Sequence, residues 1–250
     1  MNTQHITLSA FDYTQTAPCS IYETDRWAVV YKPPHIPTAP LRADEDGTLV
    51  QWFLSVQPKP VASVCGKKAI EAGLVHRLDT DTRGLVLFAK DQHSYDFFRA
   101  AQNSDTITKT YYAFVKPLPK QAQHSGRRTI PQAITSQYRN YGPKAKKTAP
   151  VFPSSRHYTK EGRLYTTIIE EYQPAVSAIR CRLTRGYRHQ VRTHLAAIGL
   201  PIVGDPLYGI DTAENSIPLQ LYAIALTFPI PENRSAYISV ALPPPDKMNR

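Results

Sequence analysis

The stretch Gly73-Leu74-Val75-His76-Arg77-Leu78-Asp79-Thr80-Asp81-Thr82-Arg83-Gly84-Leu85-Val86-Leu87-Phe88-Ala89-Lys90 decides how the rest of this chain is read. Two apolar runs, Gly73 to Leu78 and Leu85 to Ala89, flank a polar turn from Asp79 to Gly84, which predicts two short strands joined by a loop. A carboxylate stands just past the first run, with a cation two residues before it. Side chains two apart on a strand share a face, so Arg77 and Asp79 are candidates to face one cleft. The competing reading is structural, with Asp79 or Asp81 capping the turn by accepting backbone N–H groups near Thr82. Position alone favours the structural reading.

Working outward, Tyr22 to Tyr31 reads as two short strands around Asp25 and Arg26, and Lys32-Pro33-Pro34 breaks the pattern. Thr48 to Val56 carries Leu49, Trp52, Phe53 and Val56 at helical spacing, while Pro58 to Lys68 reads as loop. Asp91 is placed to cap a helix running to about Ala101. Strands are predicted over Thr108 to Val115, Arg163 to Tyr172, Ile179 to Leu183, Leu219 to Phe228 and Ala236 to Val240. His189 to Ile198 is predicted helical, its stripe Val191, Leu195 and Ile198 turned to the core and Gly199 and Pro201 stopping it. Strands outnumber helices and do not alternate with them. The expected fold is therefore α+β, with a mixed, mainly antiparallel central sheet and flanking helices.

Thr106 to Lys160 contains no Asp or Glu, yet holds Lys109, Arg127, Arg128, Arg139, Lys144, Lys146 and Lys147 among its cations, with Tyr111, Tyr112, Phe114, Tyr138 and Tyr141 interleaved. A one-sign stretch of this kind favours phosphates, and aromatic rings offer stacking surfaces to unpaired bases. The plainer alternative is a solvated basic loop with strand aromatics facing the core. The whole chain of 250 residues agrees in sign: 30 Lys and Arg against 20 Asp and Glu give a formal charge of +10. That excess points to a polyanionic partner, nucleic acid or a membrane surface. Cys19, Cys65 and Cys181 are widely spaced and read as thiols in a reducing compartment. No signal-like start and no apolar run of spanning length is seen, so a cytoplasmic chain with no membrane attachment is expected. His189 and His194 lack the spacing of a zinc helix, and no phosphate-cradling glycine loop is present; no metal and no cofactor is expected.

Four stretches, met in order, carry a resemblance. Gly73 to Lys90 resembles the His-Arg-Leu-Asp signature of the RluA-type pseudouridine synthases. Lys109-Thr-Tyr-Tyr-Ala-Phe-Val115 is similar to their Lys-x-Tyr-x-Ala-x-Val strand. Gly186-Tyr-Arg-His-Gln-Val-Arg-Thr-His194 resembles the Gly-Arg-x-His-Gln-Ile-Arg-x-His motif, and Gly199 to Gly209 the Gly-x-Pro-Ile-x-Gly-Asp-x-x-Tyr-Gly loop. Together these span roughly Ile21 to Pro231. The resemblance implies one synthase domain over residues 21–250 behind an extension over 1–20, without an S4-type RNA-binding domain. It implies an isomerase that turns uridines of ribosomal or transfer RNA into pseudouridine without cofactor or metal, acting as a monomer. Asp79 is then the essential aspartate, Arg77 the arginine filling the gap left by the extruded base, and Tyr111 the ring stacking on uracil. Arg192 is the cation that pairs with the aspartate. Arg83, Lys109, Arg127, Arg128, Lys144, Lys146, Lys147 and Arg188 join Arg77 as candidate RNA contacts.

Three positions depart from the family pattern: Arg83 stands where a serine is usual, Tyr187 where an arginine is usual, and Tyr222 where a histidine is usual. The first two keep open a second reading, a non-catalytic RNA-binding protein on the same fold.

Overall fold

A computed structural model describes residues 2–57, 63–116, 130–209 and 217–248. In chain order its elements are β1 (Asn2–Thr7), β2 (Cys19–Glu23), β3 (Trp27–Lys32), α1 (Leu49–Val56), β4 (Arg83–Ala89), α2 (Gln92–Asn103), β5 (Thr108–Phe114) and β6 (Ala133–Tyr141). They continue with β7 (Lys147–Val151), β8 (Tyr165–Gln173), β9 (Ala178–Leu183), α3 (Gln190–Ala197), β10 (Leu221–Ile230) and β11 (Asn233–Ala241). The architecture is α+β with a mixed, mainly antiparallel sheet, as the strand-rich pattern predicts. The chain divides into two compact units, Met1–Lys109 with Tyr222–Asp246, and Thr110–Leu221 with Lys247–Arg250.

In the first unit the strands run β2-β3-β4-β10-β11-β1. β1 pairs in parallel with β11 from Asn2 opposite Ala236 to Thr7 opposite Ala241. β3 and β4 are buried on both faces, and so read as continuous apolar runs without alternation. Trp27, Phe98 and Phe228 meet edge to face, with centroids 5.2–6.5 Å apart. Phe53 of α1 stacks on Phe88 of β4 at 4.2 Å. The Asp91 cap of α2 is made as predicted, and α1 carries a cap that its apolar spacing did not announce. Thr48 and Gln51 form a reciprocal capping box at α1, and the Asp91 carboxylate accepts from Ser94 N–H at 2.8 Å at α2.

One expected strand is absent. Residues 73–78 make only an isolated bridge, Leu74 to Phe88. Val75 N–H donates to the Leu87 carbonyl at 3.1 Å and Ala89 N–H to the Gly73 carbonyl at 2.8 Å. Leu87 N–H, however, donates to Nε2 of the His76 ring at 3.3 Å. A side chain has taken a donor that a regular ladder would give to a carbonyl, and the ladder stops there. Gly73 is required by this approach, since a Cβ would lie 1.9 Å from the Ala89 carbonyl oxygen.

The second unit orders its strands β5-β9-β8-β6-β7. β6 and β7 form an antiparallel hairpin, from Gln137 opposite Val151 to Tyr141 opposite Lys147, so part of the acid-free segment is sheet. Its turn needs left-handed backbone at Gly142 (φ 79°), Lys144 and Ala145 (both φ 52°). α3 is more enclosed than its stripe predicts. Val191 and Leu195 are buried, but so are Gln190, Arg192, Thr193 and His194.

Candidate active site

In the first unit, Asp79 begins a turn closed through the main chain, Thr82 N–H donating to the Asp79 carbonyl at 3.1 Å. The residues on either side of Asp79 are each held by a buried side chain. Before it, the Thr38 hydroxyl donates to the Leu78 carbonyl at 2.7 Å and accepts from Leu78 N–H at 3.2 Å. After it, the Lys32 ammonium donates to the Thr80 carbonyl at 2.8 Å, and also to the carbonyls of Pro33 (2.8 Å) and Ile36 (2.9 Å). A main chain clamped at both neighbours gives the carboxylate between them a defined origin. Arg77 is exposed, its guanidinium 3.6 Å from the Glu71 carboxylate, and Asp81 lies 3.2 Å from the His35 ring.

Lys32 is fully buried and was read in the sequence only as the start of a break. Burial pushes its ammonium down to about 7; Asp81 and Asp79 pull it back up, and Arg83 opposes them. Arg83 and Lys109 do not take the surface places expected of RNA contacts. Arg83 is 2% exposed, one Nη donating to the Tyr13 carbonyl at 3.2 Å and its guanidinium 5.2 Å from the Tyr222 ring centroid. Lys109 is 4% exposed, and burial brings it down to about 8 against the pull of Asp105. The physical reason is the same for both: the two side chains stand at buried positions of β4 and β5, and charge alone does not bring a side chain to the surface. Burial, with Lys109 adding like charge, holds the His76 ring neutral well below its ordinary range.

In the second unit, Arg192 is 3% exposed and its Nε and one Nη donate to the two carboxylate oxygens of Asp205, at 2.8 and 2.7 Å. The same carboxylate accepts from the N–H groups of Leu207 (2.9 Å) and Tyr208 (3.1 Å), and the Tyr208 ring lies 5.3 Å from the guanidinium. The Tyr208 hydroxyl in turn accepts from Thr148 N–H at 2.9 Å and bonds His189 Nδ1 at 2.8 Å. Asp205 and Tyr208 carry no role in the sequence reading, although both lie in the quoted Gly199 to Gly209 loop. The signal was there: a carboxylate and an aromatic in a motif without an assigned task. His194 is fully buried between Ser136 (2.8 Å) and Thr167 (2.9 Å), and burial holds it down to about 4. Tyr111 lies on β5 with 8% exposure.

Of the expected basic contacts, Lys144 and Lys146 are exposed on the hairpin turn and Lys147 is half-buried on β7. Arg188 is exposed but occupied, donating to the carbonyls of Ala145 (2.9 Å) and Lys146 (2.8 Å) and so bracing that turn. Arg127 and Arg128 lie outside the described residues. Tyr112 and Phe114 are core, Tyr138 stacks on Tyr187 at 4.5 Å, and Tyr141 is 37% exposed with Arg139 over its ring at 5.4 Å. Among the described residues no cluster of three or more His, Cys, Asp or Glu could hold a metal, and no helix is long and apolar enough to cross a membrane.

Residues 26–197 match the profile of the RNA pseudouridylate synthase family, and the chain belongs to that family. Over 189 residues, 76% of the chain, it is 30% identical to the ribosomal large subunit pseudouridine synthase D of Pseudomonas aeruginosa, covering 52% of that protein. The protein of the same name from Escherichia coli O6:H1 is 30% identical over 201 residues, 76% of this chain and 52% of that one. Rice RNA pseudouridine synthase 2, chloroplastic, is 28% identical over 225 residues, 76% of this chain and 48% of that one. The chain thus spans about half the length of the curated relatives it matches. In fold it resembles the solved human RNA pseudouridylate synthase domain containing 1, with TM-score 0.62 at 17% identity, covering 94% of this chain and 86% of that one.

Proposed function

We propose that this chain isomerises uridine to pseudouridine in RNA, with Asp79 as its catalytic carboxylate. The observation that carries the reading is the turn at Asp79, in a chain of this family, clamped at Leu78 by Thr38 and at Thr80 by buried Lys32. A residue that only closed a turn would not call for two buried side chains to fix its neighbours.

The reaction breaks the N1–C1′ bond of uridine, turns the base and forms a C5–C1′ bond, and the C5 hydrogen leaves as a proton. No group enters and nothing is oxidised. The base has to leave the stack first. Arg77, exposed two residues before Asp79, has the planar cation suited to the vacated space. Asp79 serves either as nucleophile toward C1′ or as the base for a sugar proton. Tyr111 supplies a ring for the uracil and a candidate acceptor for the C5 proton. Arg192, oriented by Asp205, is assigned as the cation for Asp79. Lys144, Lys146 and Lys147 are the described cations assigned to phosphate, with Arg127 and Arg128 from the same acid-free segment. The bacterial relatives above are named as ribosomal large subunit enzymes, which favours ribosomal over transfer RNA as the substrate.

The departures do not favour the non-catalytic reading. Arg83 is interior, and Tyr187 is stacked on Tyr138. The test is release of tritium from large-subunit ribosomal RNA transcript labelled at uracil C5, because only rejoining through C5 expels that hydrogen. Release by the wild type supports the reading. RNA binding without release would establish the non-catalytic alternative.

A further inference from the structure

Arg83 and Tyr222, two of the three departures from the family pattern, are one contact. They are register partners on the parallel strands β4 and β10, and the guanidinium lies 5.2 Å from the ring centroid. Tyr222 is fully buried, and Tyr13, whose carbonyl accepts from one Nη of Arg83, packs its own ring against Tyr222 at 5.0 Å. Nε and the other Nη of Arg83 are buried without hydrogen-bond partners, and among the described residues no carboxylate is in ion-pair reach. Gly84, the next residue, has φ 131° and no room for a Cβ, which would lie 2.2 Å from the Ala223 carbonyl oxygen; the strand end is therefore fixed in place. That strand end is where the Asp79 turn arrives, since the turn closes at Thr82, immediately before Arg83.

An interior cation is costly unless something holds it. A carboxylate would hold it and also cancel its field. The face of an aromatic ring holds it by its quadrupole and leaves the net charge in place. Resting on the reading of Asp79 above, we propose that Arg83, held by Tyr222 and not by a carboxylate, is a positioning residue whose uncancelled charge stabilises the ionised Asp79 turn during catalysis. Lys32, under the same turn, adds a buried amine that is positively charged below about pH 7, and its electrostatic neighbours are Asp81, Asp79 and Arg83. The arrangement trades fold stability for a positive field at a carboxylate that must work beneath an RNA base.

The experiment compares wild type, Arg83→Met, Arg83→Gln and Arg83→Lys in tritium release from C5-labelled large-subunit ribosomal RNA transcript, alongside thermal unfolding. Arg83→Gln keeps a donor for the Tyr13 carbonyl while removing the charge. Both uncharged variants should lose at least about tenfold in kcat with KM for the RNA unchanged within about threefold. They should also unfold at the same or a higher temperature, because an uncompensated buried charge has gone. Arg83→Lys should recover most of kcat. A purely structural arginine predicts the opposite pattern: lower unfolding temperatures, activity falling in step with stability, and no rescue by lysine. That outcome overturns the proposal, as does failure of both uncharged variants to fold or undiminished kcat in either. If the wild type itself releases no tritium, the reading of Asp79 fails and this inference falls with it; if only the variants fail to differ, the inference alone is lost.

Discussion

Arg83 and Arg192 are both buried, 2% and 3% exposed, and each lies over a tyrosine ring, Tyr222 at 5.2 Å and Tyr208 at 5.3 Å. They differ in what answers the charge. Arg192 has the two oxygens of Asp205. Among the described residues Arg83 has one carbonyl, two unpartnered nitrogens and the ring. Each sits in a different unit, so each can be judged against its own surroundings. The ring supplies similar attraction in both, and only in one is the charge neutralised. The comparison separates two ways of holding a buried arginine: by a carboxylate that also fixes its orientation in the second unit, and by a ring that leaves its charge in place in the first.

The largest expected effect breaks the neutralised case. Asp205→Ala leaves a buried guanidinium without its carboxylate and two loop N–H groups without their acceptor. It should cost about 3–5 kcal/mol of stability, read by chemical denaturation, whereas Arg83→Met costs none. A loss under 1 kcal/mol for Asp205→Ala would erase the distinction between the two sites.

The second prediction concerns the buried lysines of the first unit. Lys32 and Lys109 are brought down from 10.5 to about 7 and about 8 in the fold. Between about pH 7 and 10.5 the unfolded chain therefore holds more protons than the folded one, and stability rises with pH through that window. Burial raises the Tyr13 and Tyr31 phenols above their ordinary range, which turns the trend downward at pH beyond 10. The unfolding temperature should climb from pH 7 to 9, and Lys32→Met should flatten part of the climb. A flat profile in the wild type would mean that the interior cations are more hydrated than their burial implies.

Smaller effects sharpen the picture at the turn. Thr38→Val removes both hydrogen bonds to Leu78 and should cost about 1–3 kcal/mol. If the clamp aims Asp79, kcat should fall by more than RNA affinity does. Smallest in stability is the replacement of Lys144, Lys146 and Lys147 by Gln, which should leave the unfolding temperature unchanged. It should flatten the plot of log RNA affinity against log salt by up to about 2 units, at about 0.7 for each single-stranded phosphate contact. An unaltered slope would make the hairpin turn a solvated surface only.

What was legible in the sequence was whatever leaves a local mark. Asp91 with Ser94 is a cap within three residues and α2 starts there, while the spacing of Leu49, Trp52, Phe53 and Val56 placed α1. The motif stretches placed Asp79, Tyr111 and Arg192 on a turn, a strand and a helix. What was not legible depends on long-range partners. Lys32 reads only as the start of a break until Thr80, 48 residues away, takes its ammonium. Arg83 reads as an added surface cation until β10 brings Tyr222 beside it. Residues 73–78 have a strand's composition, but the His76 ring occupies the Leu87 N–H that a ladder needs. The acid-free composition of 106–160 hid the β6–β7 hairpin, because charge says nothing of pairing.

The most direct test of the central claim is tritium release by Asp79→Asn from C5-labelled large-subunit ribosomal RNA transcript, measured beside its RNA affinity and the wild type. The substitution keeps the shape of the side chain and removes the carboxylate. The account predicts release by the wild type, none detectable from the variant, and affinity retained within a few-fold. Substantial release by Asp79→Asn would contradict it and return Asp79 to the role of a turn residue.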